Sequence, residues 1–228
     1  MPGTEGAPSG EWVARRPRHR VVMYLDVICE WCYLAHRVLA TLEGEYDFDV
    51  DYRLMEIHPD VPEEGMPMTR HLHFPDRFYD DLDALGAPYG VTFNREKQFA
   101  NTYYALLLLQ CAKGAGQLGR VLDPLWDAYM VRGRNISLLP EIVRVTDACG
   151  LPRSLVAEAY ANPAYAGQLE DAYRQNHLDG GEGKVPFFRV DDEYVMRGAQ
   201  DADTWRALFD RLEKGAQGSG DPVARPAS

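Results

Sequence analysis

Two cysteines stand three positions apart in the segment Cys29-Glu30-Trp31-Cys32, and their spacing could support redox chemistry. The segment follows the apolar run 21–28, which predicts a β-strand, and precedes a helical pattern over 33–42. Two thiols in a first helical turn can close a disulfide, and the free N–H groups at a helix N-terminus favour a thiolate. We therefore predict that Cys29 is the nucleophile and that Cys32, one turn deeper, is the resolving thiol.

The other two cysteines bear on the alternative that this pair binds zinc. Cys111 and Cys149 are 38 residues apart and form no second Cys-x-x-Cys, so the usual pattern of a four-cysteine zinc cluster is missing. Both fall on apolar helical faces, which predicts buried free thiols. The sequence thus predicts no metal site. A pair of inert core cysteines is the remaining alternative to a redox pair.

Two ionisable residues near the cysteines could tune them. Asp26 could be a buried carboxylate that accepts the proton of Cys32 during exchange, but an aspartate in this position more often caps a loop or helix, and we favour that role. His36 follows Cys32 by four residues, which places it on the same helix face. It could tune that thiol, although a solvated surface histidine is the simpler prediction.

Three further residues could contact a substrate. Glu56 and His58 end a second predicted strand, at the edge where open α/β sheets bind ligands, although turn formation explains the His58-Pro59 pair equally well. Trp31 lies between the cysteines, where there is little room to bury an indole. We therefore expect an exposed Trp31 side chain that contacts substrate.

Composition and charge limit the class of partner. The formal charge of −11 argues against nucleic acid or an anionic membrane surface, since both require a basic patch. The one basic cluster, at 15–20, lies in a terminal arm. No apolar stretch has the length of a signal peptide or a membrane span, which predicts a cytoplasmic protein. Structural disulfides are rare in that compartment, and this favours a catalytic role for the paired cysteines.

The order of the predicted elements indicates the fold class. A strand, a helix and a strand over 47–57 are followed by a block of almost only helical signals, from about 60 to 180, and then by strands over 186–190 and 193–196 and a helix over 202–214. Without the block, this order is that of a minimal thioredoxin fold. A long excursion inside a compact domain is best explained as an inserted domain.

The sequence thus predicts an α/β protein with a thioredoxin-like fold and a large inserted all-helical domain. Within the insertion, a helix is predicted in 94–113, Ser137 is a predicted N-cap for a helix over 138–149, and Asn162-Pro163 opens another helix. The predicted boundaries are a disordered arm at 1–19, a thioredoxin-like domain at 20–60 and 181–214, an inserted helical domain at 61–180, and a disordered tail at 215–228.

Several segments together resemble the FrnE-like branch of the DsbA family, over about residues 20–213. Each motif is weak alone, and the resemblance rests on their order and spacing. The motifs are Asp26-Val27-Ile28-Cys29-Glu30-Trp31-Cys32-Tyr33, Met55-Glu56-Ile57-His58-Pro59-Asp60 with Pro62-Glu63-Glu64-Gly65, Asn101-Thr102, Gly133-Arg134-Asn135-Ile136-Ser137, Lys184-Val185-Pro186-Phe187-Phe188, and Arg197-Gly198-Ala199-Gln200.

The resemblance implies a thioredoxin fold with a helical insertion, a dithiol–disulfide site, and a cis-proline loop facing that site, which Val185-Pro186 matches. A cis bond there would leave the backbone of Val185 free to pair with an extended substrate chain. From the residues alone, a trans proline at a strand start is an equally good explanation.

The chain departs from the family pattern at Glu30, where the family usually has Pro. A carboxylate beside Cys29 is expected to disfavour its thiolate by Coulomb repulsion. We therefore expect a weaker oxidant than DsbA itself, and we expect replacement of Glu30 by Pro to favour the thiolate.

These observations predict a thiol–disulfide oxidoreductase of the DsbA/FrnE-like type that needs no organic cofactor. Its substrate would be a protein or small-molecule thiol or disulfide, with a low-molecular-weight thiol as a possible co-substrate; the direction of exchange and the oligomeric state are left open. One alternative is an isomerase or transferase that uses glutathione or a similar thiol. The related 2-hydroxychromene-2-carboxylate isomerases and kappa-class glutathione transferases usually have Ser where Cys29 stands, which counts against it. The other alternative is a redox-switched binding protein or chaperone.

Overall fold

The computed structural model describes residues 18–68 and 77–215. Within them, four strands form one sheet in the order β2-β1-β3-β4. The strands are β1 His19–Leu25, β2 Phe48–Leu54, β3 Phe187–Val190 and β4 Tyr194–Arg197. The helices are α1 Glu30–Ala40, α2 Phe78–Gly86, α3 Tyr103–Gly114, α4 Leu118–Trp126, α5 Leu139–Ala148, α6 Arg153–Ala161, α7 Ala164–Leu178 and α8 Ala202–Gly215. The predicted arm and tail lie almost entirely outside the described residues.

Strand β1 is the centre of the sheet. It runs parallel to β2 and antiparallel to β3, and six of its seven residues are buried. A strand that is covered on both faces is expected to have a nearly continuous apolar sequence, as this one does. Strands β3 and β4 form a hairpin whose turn residues, Asp191 and Asp192, have φ of +52° and +58°. These values suit a type I′ turn, where aspartate is tolerated, and Glu193 completes the three-residue connection between the paired Val190 and Tyr194.

Helix α8 packs its aromatic side chains against residues of the sheet. Trp205 and Phe209 are fully buried. The ring of Phe209 stacks on Phe48 of β2 with centroids 5.0 Å apart, and Trp205 meets Phe188 of β3 edge-on at 5.1 Å. These contacts cover part of the sheet with an apolar layer.

Helices α2 to α7 lie between β2 and β3 in the chain, and the predicted fold class is confirmed. One buried apolar cluster joins α1 to these helices. For example, the ring of Tyr33 on α1 packs on Trp126 of α4 with centroids 5.5 Å apart. Among the described residues, no helix has the length and apolar character needed to span a membrane.

Part of the predicted helical block is not helical. The helix predicted in 94–113 begins only at Tyr103. Instead, Phe99 forms an isolated β-bridge with Met66, and the two backbone N···O distances are 2.9 and 2.8 Å. The Asn101 side chain also donates to the carbonyl of Val61 at 2.7 Å. These tertiary hydrogen bonds override the local helical pattern.

The prediction that Ser137 is a helix N-cap is wrong. Helix α5 begins at Leu139, after Leu138, and no side chain caps it. The hydroxyl oxygen of Ser137 accepts the N–H of Asn101 at 2.8 Å. Ser137 therefore links two parts of the insertion instead of starting a helix.

Candidate active site

Cys29 and Cys32 lie at the start of α1. Cys29 is the N-cap residue in an extended backbone conformation, and its carbonyl oxygen accepts the N–H of Cys32 at 3.1 Å. The side chain of Cys32 is fully buried, whereas Cys29 is partly exposed, and both are free thiols. This arrangement places one accessible sulfur at a helix N-terminus and a second sulfur behind it.

The loop before β3 faces Cys29. The Sγ of Cys29 lies 3.7 Å from the carbonyl oxygen of Val185, to which the thiol donates. The Val185–Pro186 peptide bond is cis. The sheet register explains this position, because Tyr24 pairs with Phe187. The residues just before β3 therefore stand opposite the end of β1, which leads directly to Cys29.

Asn176 on α7 holds this loop in place, and the sequence reasoning missed it. Its side chain is buried, its Oδ1 accepts the N–H of Gly183 at 2.7 Å, and its Nδ2 donates to the carbonyl of Lys184 at 3.2 Å. A Cβ on Gly181 would lie 2.4 Å from Asn176 Nδ2, so glycine is required there. The repeated glycines at 180, 181 and 183 were the signal that could have pointed to a tightly held loop.

Asp26 is a fully buried acid at the end of β1. Its carboxylate accepts the N–H of Ile28 at 3.2 Å and that of Ile57 at 2.9 Å. Burial raises the pKa of Asp26 to about 6, against these hydrogen bonds, which lower it. The two hydrogen bonds agree with the loop-capping role that we favoured for Asp26. Its burial is also what a proton acceptor for Cys32 would require.

Cys32 needs a proton acceptor before it can attack. Burial raises the pKa of its thiol well above the ordinary value, and the hydrogen bond with Cys29 acts in the same direction. A hydrogen bond with the Asp26 backbone lowers the pKa of Cys32, and the charge of the Asp26 carboxylate raises it. A carboxyl group with a pKa of about 6 can take up a proton near neutral pH.

Glu56 lies at the edge of a pocket next to this acid. Burial and then the charge of Asp26 raise the pKa of Glu56 to about 7. Its Oε1 is buried without a hydrogen-bond partner among the described residues. The pocket has a volume of about 380 Å³ and is lined by Glu56, Ile57, Pro59, Tyr103, Ala166, Leu169, Glu170 and Tyr173. The structure thus brings Glu56 to a ligand-sized space.

His58 and His36 have other contacts. The ring of His58 meets Phe99 edge-on at 4.9 Å and does not line the pocket of Glu56. The prediction that His36 is a solvated surface residue is wrong, because its side chain is only 12% exposed. Its two ring nitrogens lie 2.8 Å from the hydroxyl of Tyr52 and 2.7 Å from the carboxylate of Asp123. His36 therefore joins β2 to α4, and neither ring nitrogen is available to Cys32.

Glu30 is buried, and its carboxylate has partners that the expectation of repulsion at Cys29 did not include. Its Oε1 lies 2.9 Å from the Nζ of Lys97, and the hydroxyl of Tyr79 donates to the same oxygen at 3.2 Å. Sequence reasoning missed this cation, because Lys97 is distant in the chain. Replacing Glu30 by Pro would therefore remove the partner of a buried ammonium as well as a negative charge.

Trp31 is half-buried, so the prediction of an exposed indole is wrong. Its ring meets Phe78 of α2 edge-on at 6.4 Å. Trp31 also lines a groove of about 210 Å³ with Leu85, Tyr89 and Ala199 among its other walls. Contact between Trp31 and a substrate stays a prediction.

No group of three or more His, Cys, Asp and Glu side chains within 18–68 and 77–215 is arranged to hold a metal ion. Cys111 and Cys149 are free thiols, buried and half-buried respectively. The only thiols that the described structure brings together are those of Cys29 and Cys32.

The difference in exposure predicts the order of alkylation in the reduced protein. At mildly acidic pH, iodoacetamide should modify Cys29 first, at least about tenfold faster than Cys32, because only Cys29 is both accessible and at a helix N-terminus. Peptide mapping by mass spectrometry after short exposures measures the order. Cys149→Ser is the control and should leave the rate at Cys29 unchanged; faster labelling of Cys111 or Cys149 would contradict the assignment.

The buried acid predicts a pH-dependent stability. The difference between a pKa of about 6 in the folded protein and about 3.9 in an unfolded chain corresponds to about 3 kcal/mol. The folded state holds this proton more tightly, so Asp26 costs stability as the pH rises from about 4 to about 6.

The Asp26→Asn variant removes that titration. Relative to wild type, its free energy of unfolding in urea should rise by about 3 kcal/mol between pH 4 and pH 7.5, on top of a constant loss from the altered hydrogen bonds. Asp49→Asn, at an exposed carboxylate on β2, is the matched control. A pH-independent difference for Asp26→Asn would contradict a raised pKa.

Solved structures of known proteins share this fold. The probable DsbA oxidoreductase from Streptomyces coelicolor has a TM-score of 0.78 at 22% identity, and the match covers 91% of this chain and 93% of that one. The cytosolic disulfide reductase DsbM from Pseudomonas aeruginosa with GSH has a TM-score of 0.65 at 19% identity, over 86% and 99%. A 2-hydroxychromene-2-carboxylate isomerase has a TM-score of 0.64 at 17% identity, over 88% and 100%. At these identities the likeness shows the fold.

No curated protein sequence matches the chain. The family model described as a DSBA-like thioredoxin domain matches residues 20–210, which include the whole sheet apart from His19. The predicted resemblance to the DsbA family is thereby confirmed. This protein belongs to the family of DsbA-like thioredoxin domains.

Proposed function

We propose that the protein is a thiol–disulfide oxidoreductase that cycles Cys29 and Cys32 between dithiol and disulfide. The observation that carries this proposal is the contrast between the two sulfurs: Cys29 is accessible at the N-terminus of α1, and Cys32 is buried directly behind it. An attacking thiol and a resolving thiol require this difference in access.

In the reducing direction, the thiolate of Cys29 attacks one sulfur of a substrate disulfide. The substrate S–S bond breaks, one substrate thiolate leaves, and a mixed disulfide with Cys29 forms. Cys32 then loses its proton and attacks the Cys29 sulfur, which forms the Cys29–Cys32 disulfide and releases the second substrate thiolate. The two protons of the cysteines end on the two released thiols. Oxidation of a substrate dithiol follows the same steps in reverse.

We assign to Asp26 the role of proton acceptor for Cys32. Burial holds the Cys32 thiol in its protonated form, so the second step requires a base close by. Asp26 is buried, interacts with Cys32, and has a pKa raised to about 6, which suits proton exchange near neutral pH. Burial and the charge of Asp26 raise the pKa of Glu56 to about 7, and Glu56 lines the pocket of about 380 Å³.

The substrate in this proposal is a protein or small-molecule disulfide, and no organic cofactor takes part. The carbonyl of Val185 beside the Cys29 sulfur supports pairing with an extended chain, and Trp31 lines a groove of its own. The pocket of about 380 Å³ at Glu56 supports a low-molecular-weight thiol as co-substrate. The fold likeness to a cytosolic disulfide reductase solved with GSH points the same way and supports a cytoplasmic location.

Reduction of insulin disulfides by dithiothreitol tests the proposed activity. Wild-type protein should accelerate the precipitation of the insulin B chain, and Cys29→Ser should reduce the rate to the uncatalysed background, because no mixed disulfide can form. Cys149→Ser is the control and should retain the wild-type rate. Full activity in Cys29→Ser would refute the proposed chemistry.

The Cys32→Ser variant should accumulate mixed disulfides, because the resolving thiol is missing. Non-reducing electrophoresis of material purified from cells should show adducts that dithiothreitol removes, and the Cys29→Ser/Cys32→Ser variant should show none. Mass spectrometry then identifies the trapped partner. Protein adducts support a protein substrate, whereas adducts of glutathione-like thiols alone would favour a small-thiol enzyme.

A further inference from the structure

The residue that follows Cys29 carries a buried ion pair. Glu30 Oε1 lies 2.9 Å from Lys97 Nζ, and the side chains are 9% and 0% exposed. Glu30 is the first residue of α1, whereas Lys97 belongs to the segment between α2 and α3 of the helical insertion. The insertion therefore places a cation against the side chain of the residue that follows Cys29.

The surroundings of Lys97 fit an ammonium group. The Nζ donates to the hydroxyl of Tyr79 at 2.8 Å and to the carbonyl of Asn94 at 3.4 Å. It also lies over the Tyr79 ring, 4.6 Å from the centroid, and 5.8 Å from that of Tyr129. Oxygen acceptors and aromatic faces both stabilise a cation. Residues of the insertion therefore hold the Lys97 ammonium in position for its pair with Glu30.

Because the ion pair is buried, a change in either of its charges is expected to affect the Cys29 thiolate. In a water-poor environment, a charge acts on its neighbours more strongly than at the surface. An uncompensated carboxylate at position 30 would oppose the thiolate of Cys29, and an uncompensated ammonium would favour it. Because the two charges are opposite in sign and 2.9 Å apart, their effects on the sulfur oppose each other.

We propose that Lys97, acting through Glu30, is a positioning residue that sets the fraction of Cys29 present as thiolate and with it the reduction potential of the Cys29–Cys32 pair. The part about the reduction potential rests on the proposed function. The helical insertion then tunes the redox centre electrostatically, in addition to any effect on substrate access. Among the described residues, the Glu30 carboxylate is paired with Lys97 and Tyr79 alone.

Removing one charge at a time gives opposite effects. In a Cys32→Ser background, Glu30→Gln should lower the titration midpoint of Cys29 by about one pH unit, because Lys97 is left unpaired, and Lys97→Met should raise it by a similar amount. The double variant Glu30→Gln/Lys97→Met should return the midpoint to the wild-type value. Thiolate absorbance measures the titration, with the Cys29→Ser/Cys32→Ser protein as the blank for the other thiols.

The reduction potential should follow the titration. In the two-cysteine forms, Glu30→Gln stabilises the reduced state and should shift the equilibrium with glutathione about tenfold toward dithiol, which is about 30 mV less negative. Lys97→Met should shift it in the opposite direction. Tyr79→Phe removes hydrogen bonds but no charge, so it should leave both quantities near wild type.

Lys97→Met alone can unfold the protein, because it leaves a buried carboxylate without its partner. The double variant and Glu30→Gln then carry the test. A lowered midpoint in Glu30→Gln that Lys97→Met reverses supports the proposal. Equal midpoints in all folded variants, or a shift in Tyr79→Phe as large as in Glu30→Gln, would show that the pair is only a structural link. If the midpoints shift as expected but insulin is not reduced, the tuning of the thiolate stands and the proposed function fails.

Discussion

The hydrogen bonds along both edges of β1 bring the chain beyond β2 and the loop of Pro186 to the end of β1 that leads to Cys29. On one edge, the parallel register aligns Leu25 with Leu54, so the chain beyond β2 can donate an N–H from Ile57 to Asp26. On the other edge, the antiparallel register brings the loop of Pro186 opposite the end of β1. A slip of one residue on either edge would turn these groups to the wrong face.

Three buried or partly buried carboxyl groups lie near the cysteines, and they differ in whether a cation pairs with them. Burial is the largest influence on Asp26 and Glu56 and raises their pKa values to about 6 and about 7. Glu30 instead meets Lys97 in an ion pair. A carboxyl group that titrates near neutral pH can exchange a proton with Cys32, whereas a carboxylate in an ion pair acts as a fixed charge. In the proposed cycle, proton transfer and charge balance thus fall to different residues.

Local patterns were sufficient for the sheet, α8 and the cysteine pair, because strand alternation, turn residues and a strand-to-helix junction each act over a few positions. They failed where distant elements decide the outcome. Trp31 is half-buried because α2 covers it, and His36 is engaged because α4 supplies Asp123. Lys97 could not be assigned to the site from its own neighbours in the chain, since only the packing of the insertion against α1 brings it to Glu30.

The segment that departs from the predicted helix is also the one that links the insertion to the site. At one end Lys97 pairs with Glu30, and further along Asn101 ties the segment to Val61. Between them, the backbone N–H and carbonyl groups of Phe99 both bond to Met66, whereas in an α-helix these groups would bond within the helix. The loss of local helical structure therefore leaves the backbone of this segment free to bond to other parts of the chain, while Lys97 pairs with the charged residue within the redox motif.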